Sequence, residues 1–108
     1  MSGFFNDVIE VVKLIPKGKV TSYGMIANYL GAKKSSRLVG WALNKVSINN
    51  KTPAHRIVNR NGFLTGRNNF PNQNYMSDKL QKEGIKIKED CIVNYNCHLW
   101  DPIKELTI

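Results

Sequence analysis

With 108 residues, 42% of them apolar, the chain is long enough for one domain around a single modest core and too apolar for a disordered segment. No apolar run approaches the roughly 18 residues of a membrane-spanning helix. The N-terminus also lacks the basic-then-apolar layout of a signal peptide, so a cytoplasmic protein (nucleoid-associated in a prokaryote) with no membrane partner is expected. Sixteen Lys and Arg against eight Asp and Glu leave a formal charge of +8, which points to a polyanionic partner, nucleic acid before an anionic membrane.

In chain order, Phe4, Val8, Val11, Val12 and Ile15 recur with helical spacing and predict a first helix closed by Pro16. Gly18 marks a turn. Thr21 or Ser22 offers an N-cap for a second helix over "YGMIANYL", stopped by Gly31. Ser35 or Ser36 caps a third, "RLVGWALNKV", with Leu38, Val39, Ala42 and Leu43 inward and Arg37 near its exposed start. Two short helices joined by a tight glycine-containing turn predict a helix-turn-helix over about 21–45.

Residues 47–70 are loop-like, with "NRNG" as the turn of a small hairpin between "RIV" and "FL". A helix over about 72–83 and short strands at 85–87 and 91–93 complete a mostly helical α+β domain. Trp41 and Trp100 read as core or edge packing. Cys91 and Cys97 have only His55 and His98 as further soft ligands, and Cys97 and His98 are adjacent, so no metal and no cofactor is expected. Both thiols are expected to be free.

"IPKGKVTSYGMIANYLGAKKSSRLVGWALN" and "PAHRIVNRNGFLTG" resemble the DNA-binding domain of O6-alkylguanine-DNA alkyltransferases across roughly residues 4–84. Three ordered blocks carry the resemblance: Pro-Xxx-Gly-Lys-Val-Xxx-Ser-Tyr-Gly, Arg-Xxx-Val-Gly, and Pro-Xxx-His-Arg-Ile-Val. In that family the reacting residue of the third block is a cysteine. A histidine held by a glutamate helps to make it a thiolate, which takes the alkyl group from a flipped guanine. Here the position is Ala54, whose methyl group has no such chemistry.

Further departures point to the alkyltransferase-like subfamily, which binds alkylated DNA without repairing it. Val46 stands at the spacing of the family's hinge asparagine, and "TGRNNFPNQNY" replaces its glycine-rich segment. A single domain without an additional N-terminal one is expected, and with an extension over 85–108 containing "HLWDP" it fits the same subfamily.

The resemblance implies the following roles. Arg37 is the finger that fills the gap left by an extruded base. Thr21, Ser22, Tyr23, Ala32, Ser35 and Ser36 join it in meeting DNA from the minor groove. Tyr23, Ala54 and Arg67 form the flipped-base pocket within the block at 52–67, and His55, Arg56 and Glu83 form a structural network beneath it.

The expected function is therefore that of a non-enzymatic monomer. It binds double-stranded DNA at O6-alkylguanine, flips the damaged base and flags it for nucleotide excision repair proteins. The alternatives are an alkyltransferase inactivated by a Cys-to-Ala change, and a generic helix-turn-helix DNA-binding protein.

Overall fold

The computed structural model describes residues 2–31, 36–44 and 52–106. Its organising element is a parallel pair of two-residue strands, β1 (Thr21–Ser22) and β2 (Ile57–Val58), in the register Thr21↔Ile57 and Ser22↔Val58. Successive strand residues point to opposite faces. Ile57 accordingly enters one apolar cluster, with Val8, Val12, Ile15, Ile26, Val39 and Trp100. Val58 enters a second, with Val20, Leu64, Met76, Leu80, Ile85 and Ile92. Two buried residues thus join two cores.

The first cluster is built on helices. In α1 (Ser2–Lys13) the apolar stripe buries Val8, Val11 and Val12, with Ile15 buried just beyond its end. Ser22 caps α2 (Tyr23–Tyr29): its Oγ accepts the Met25 N–H at 3.1 Å, satisfying a donor that the first helical turn leaves open. Gly31, at φ 77, stops that helix as expected. In α3 (Ser36–Asn44) Val39 and Ala42 are buried, while Leu38 and Leu43 are half-buried. The turn expected between these helices, with Ala32 and Ser35, lies outside the described residues, as do Lys45 and Val46.

In the second half of the chain, the strand expected to form a hairpin with "FL" pairs with β1 instead. The turn itself is present: the Asn59 N–H donates to the Phe63 carbonyl at 3.1 Å, and Asn59 Oδ1 accepts the N–H groups of Asn61 and Phe63. Burial decides the pairing. Ile57 and Val58 are both fully covered, which an exposed hairpin edge would not achieve.

Helix α4 (Tyr75–Lys82) begins three residues later than expected because Asn72 Oδ1 accepts the Asn74 N–H at 2.9 Å and holds a turn there. Strands β3 (Ile87–Lys88) and β4 (Cys91–Ile92) form an antiparallel pair. Glu89 and Asp90 turn the chain between them at φ 52 and 61. Two short helices were not anticipated, α5 (Tyr95–His98) and α6 (Pro102–Leu106). The start of α6 has a readable cause, since Asp101 Oδ1 accepts the Ile103 N–H and Pro102 takes the first helical position. The segment after α5 docks on Val20, whose N–H donates to His98 and whose carbonyl accepts from Trp100. The result is a mostly helical α+β fold.

Gly62 sits at φ 87, where an added Cβ would lie 3.1 Å from the Tyr95 ring, whereas Gly31 has open space. Gly62→Ala should destabilise the protein by more than about 1 kcal/mol in urea titrations, and by more than Gly31→Ala, which meets only the backbone penalty.

Candidate nucleic-acid interface

The Pro53–Arg56 block folds as a tight turn, a single 3-10 turn over Ala54–Arg56 that feeds directly into β2. That geometry turns consecutive side chains in different directions. His55 is buried, Arg56 is largely covered, and Ala54 is half-buried at the start of the turn with its N–H bonded to the Thr52 carbonyl at 2.8 Å.

His55 and Arg56 converge on Glu83, just past α4. His55 Nε2 lies 2.7 Å from Glu83 Oε2. Arg56 donates from Nε to Oε1 at 3.0 Å and from Nη2 to Oε2 at 2.9 Å, and its Nη1 donates to the Ile15 carbonyl at 2.7 Å. The Gly18 N–H adds a further donor to Oε1 at 3.0 Å. One carboxylate therefore holds the end of α1, the loop before β1, the Ala54 turn and the end of α4.

Burial pushes the Glu83 carboxyl up, but the hydrogen bonds from Arg56, His55 and Gly18 outweigh it and hold the group at about 2. With that carboxylate ionised, His55 Nε2 must carry the proton and Nδ1 is left as the acceptor. Burial lowers the His55 pKa, only partly offset by Glu83, so the ring is neutral near pH 7.

The second feature is a cavity of about 400 Å³ between α3 and the loop after Phe63, lined among others by Tyr23, Ser36, Arg37, Trp41, Thr65 and Gly66. This volume is within the range of small-molecule sites, about 300–1,000 Å³. Burial raises the Tyr23 phenol above its ordinary pKa against an opposing hydrogen bond with Thr65, so it is a neutral donor. Arg37 is exposed and forms no ion pair among the described residues.

Tyr23, Ser36 and Arg37, each expected to meet DNA, line this one cavity. Of the expected pocket residues, neither Ala54 nor Arg67 is part of this cavity's lining: Arg67 Nη1 donates to the Leu64 carbonyl at 3.2 Å and its Nη2 lies 4.0 Å from Asp90. The hydroxyls of Thr21 and Ser22 are likewise not presented to solvent. Thr21 is fully buried with its Oγ1 3.6 Å from the Met25 sulfur, and the Ser22 hydroxyl caps α2.

Trp41 corrects another expectation. It is 56% exposed on α3, one helical turn beyond Arg37, while Trp100 is 6% exposed in the first core. Thr65, which lines the cavity with Tyr23, was missed altogether; its only sequence signal is a small polar residue beside Gly66. No group of three His, Cys, Asp or Glu residues able to hold a metal ion occurs among the described residues. Cys91 is half-buried, Cys97 is exposed, and both are free thiols.

Residues 3–85 match the family described as 6-O-methylguanine DNA methyltransferase, DNA binding domain. Over 106 residues the chain is 32% identical to Alkyltransferase-like protein 1 of Schizosaccharomyces pombe, covering 94% of this chain and 98% of that protein. The chain belongs to the alkyltransferase-like family. The DNA base-flipping protein of Vibrio parahaemolyticus is 34% identical over 104 residues, 94% of this chain and 100% of that one. In three dimensions the chain is similar to S. pombe Atl1, solved in complex with damaged DNA containing O6-carboxymethylguanine. The TM-score is 0.85 at 31% identity, over 94% of this chain and 98% of that one. These family members are named for alkyltransferase likeness and for base flipping, not for alkyl transfer.

The Glu83 network makes stability depend on acid. Glu83 binds a proton less readily folded than unfolded, so its contribution is complete above about pH 4.5 and is lost as pH falls toward about 2. His55, also depressed, contributes fully above about pH 6.5 and loses that contribution as pH falls below it. Melting temperature should therefore fall in both windows. Glu83→Gln should remove the lower one and cost about 3 kcal/mol at pH 7, because it leaves the Arg56 charge largely covered and unpaired.

Proposed function

We propose that this protein binds double-stranded DNA at O6-alkylguanine from the minor groove, flips the damaged base into a pocket and leaves the alkyl group in place. Bound protein then flags the site for nucleotide excision repair. The observation that carries the reading is Ala54 at the reacting position of an otherwise intact Pro-Xxx-His-Arg turn. A neutral His55 hydrogen-bonded to an ionised Glu83 could polarise a nucleophile, but the adjoining residue has none to polarise. Neither Cys91 nor Cys97 belongs to the turn.

The 400 Å³ cavity supports the recognition half. Arg37 is a planar cation at its edge with no ion pair among the described residues, suited to stacking in the space an extruded base vacates. Tyr23 offers a hydroxyl to the flipped nucleotide, and Trp41 an aromatic face. Ala54 and Arg67 complete the proposed pocket, Arg67 after release from its 4.0 Å contact with half-exposed Asp90. The +8 charge supplies sequence-independent attraction to the backbone. The protein is read as a monomer acting in the cytoplasm or on the nucleoid.

Incubation with DNA containing O6-methylguanine should leave the intact protein mass unchanged; a single added methyl group overturns the non-enzymatic reading. In competition between otherwise identical duplexes with guanine and O6-methylguanine, the lesion should win, and Arg37→Ala should weaken that preference by about tenfold, roughly 1.4 kcal/mol. Loss of affinity without loss of preference would support a generic DNA-binding module instead. Tryptophan emission gives an independent check, because DNA in the cavity should quench exposed Trp41. Trp41→Phe should abolish the response, leaving buried Trp100 as a constant background.

A further inference from the structure

Two further cavities continue the one beside Arg37. A second, of about 570 Å³, shares Tyr23 and Ser36 with the first and adds Asn59, Arg60 and Asn61. A third, of about 530 Å³, shares Arg60 and Asn61 with the second and reaches Asn94, Asn96 and Cys97 at α5. Shared walls set the three side by side as one lined track, from α3 across the turn after β2 to the C-terminal extension.

The composition of its walls identifies the ligand class. None of the three cavities is lined by an Asp or Glu. A guanidinium stands at one end in Arg37 and another at the middle in Arg60, and neither forms an ion pair among the described residues. Lys19 stands at the far end, its Nζ 3.3 Å from the carbonyl of Cys97. Between these cations the walls mix apolar groups such as Met25 and Leu99 with the carboxamides of Asn59, Asn61, Asn94 and Asn96, groups that meet phosphate and sugar oxygens without reading sequence. A small anion would occupy one cation. Cations spaced along one groove fit a repeating anion.

We propose that this groove is a backbone track: Arg60 together with the α5 face at Asn94 and Asn96 holds the phosphodiester chain of DNA beyond the flipped nucleotide. The extension over 85–108 is then part of the DNA footprint, and affinity and lesion preference are separable along the groove. Arg37 acts on the damaged nucleotide, and Arg60 acts on any sequence. The proposal rests on the reading of the chain as a DNA-binding protein.

The test measures affinity over a salt series for two duplexes, one unmodified and one carrying O6-methylguanine. The proteins are the parent chain, Arg60→Gln, Asn96→Asp and a charge-loss control, Lys104→Gln, on exposed α6 outside the groove. Arg60 and Asn96 are exposed, so melting temperatures should match the parent. Arg60→Gln should lower the slope of log affinity against log salt by about one unit on both duplexes. Asn96→Asp, which puts a carboxylate into the groove, should weaken both several-fold, with the ratio between duplexes unchanged. An unaltered slope in Arg60→Gln, or an equal change in Lys104→Gln, overturns the track. Equal binding of both duplexes by the parent would overturn lesion recognition instead and leave the slope comparison valid.

Discussion

Glu83 is the constraint on which the rest of the site depends. It is one carboxylate from the end of α4, reached by donors from Gly18, His55 and Arg56, while Arg56 also grips the carbonyl of Ile15. These residues lie on both sides of the β1–β2 seam, so the network ties the two apolar clusters where the strands alone contribute only two residues each. A largely buried charge needs several partners to offset its desolvation, and here every partner is also a chain segment that must be positioned. Stability and site geometry therefore share one set of bonds.

That arrangement explains why His55 and Arg56 have use without a neighbouring nucleophile. Arg56 could not be exchanged for lysine at the same cost, because it makes two near-parallel bonds to the carboxylate and a third to a backbone carbonyl in a fixed plane. His55 adds a neutral donor that fills the remaining acceptor direction on Oε2 without adding a second buried charge. Retention of Pro-Xxx-His-Arg around an alanine is thus accounted for by architecture, independently of any chemistry at residue 54.

Local signals were legible in the sequence; distant pairings were not. The helix stripe through Val8 and Val12, the Ser22 cap and the Gly31 stop each depend on residues within a turn or two, and each is present in the structure. The parallel pairing of Ile57 with Thr21 spans distant parts of the chain, and a two-residue apolar run contains nothing that names its partner. The same limit applied to the site. Family resemblance paired His55 with Glu83, as the geometry has them, but grouped Tyr23 with Ala54 and Arg67, where the cavity groups it with Ser36 and Arg37. It did not find Thr65, Gly18 or the Ile15 carbonyl, which act through a partner's backbone or through one hydroxyl.

Trp41 shows where composition misleads. Tryptophan at helical spacing reads as core or edge packing because burying an indole is favourable, but the face of α3 that carries Val39 and Ala42 is already turned inward. Gly40 and Trp41 then fall toward the cavity with Arg37, leaving the indole half in water in the unliganded protein. An exposed indole one helical turn from a guanidinium with no ion pair among the described residues is a surface with two incomplete contacts. A stacked base would complete both, supplying a π-face to the indole and a planar partner to the guanidinium. Packing among the described residues covers neither group, and that asymmetry is the physical ground on which the proposed function puts the nucleic acid at α3.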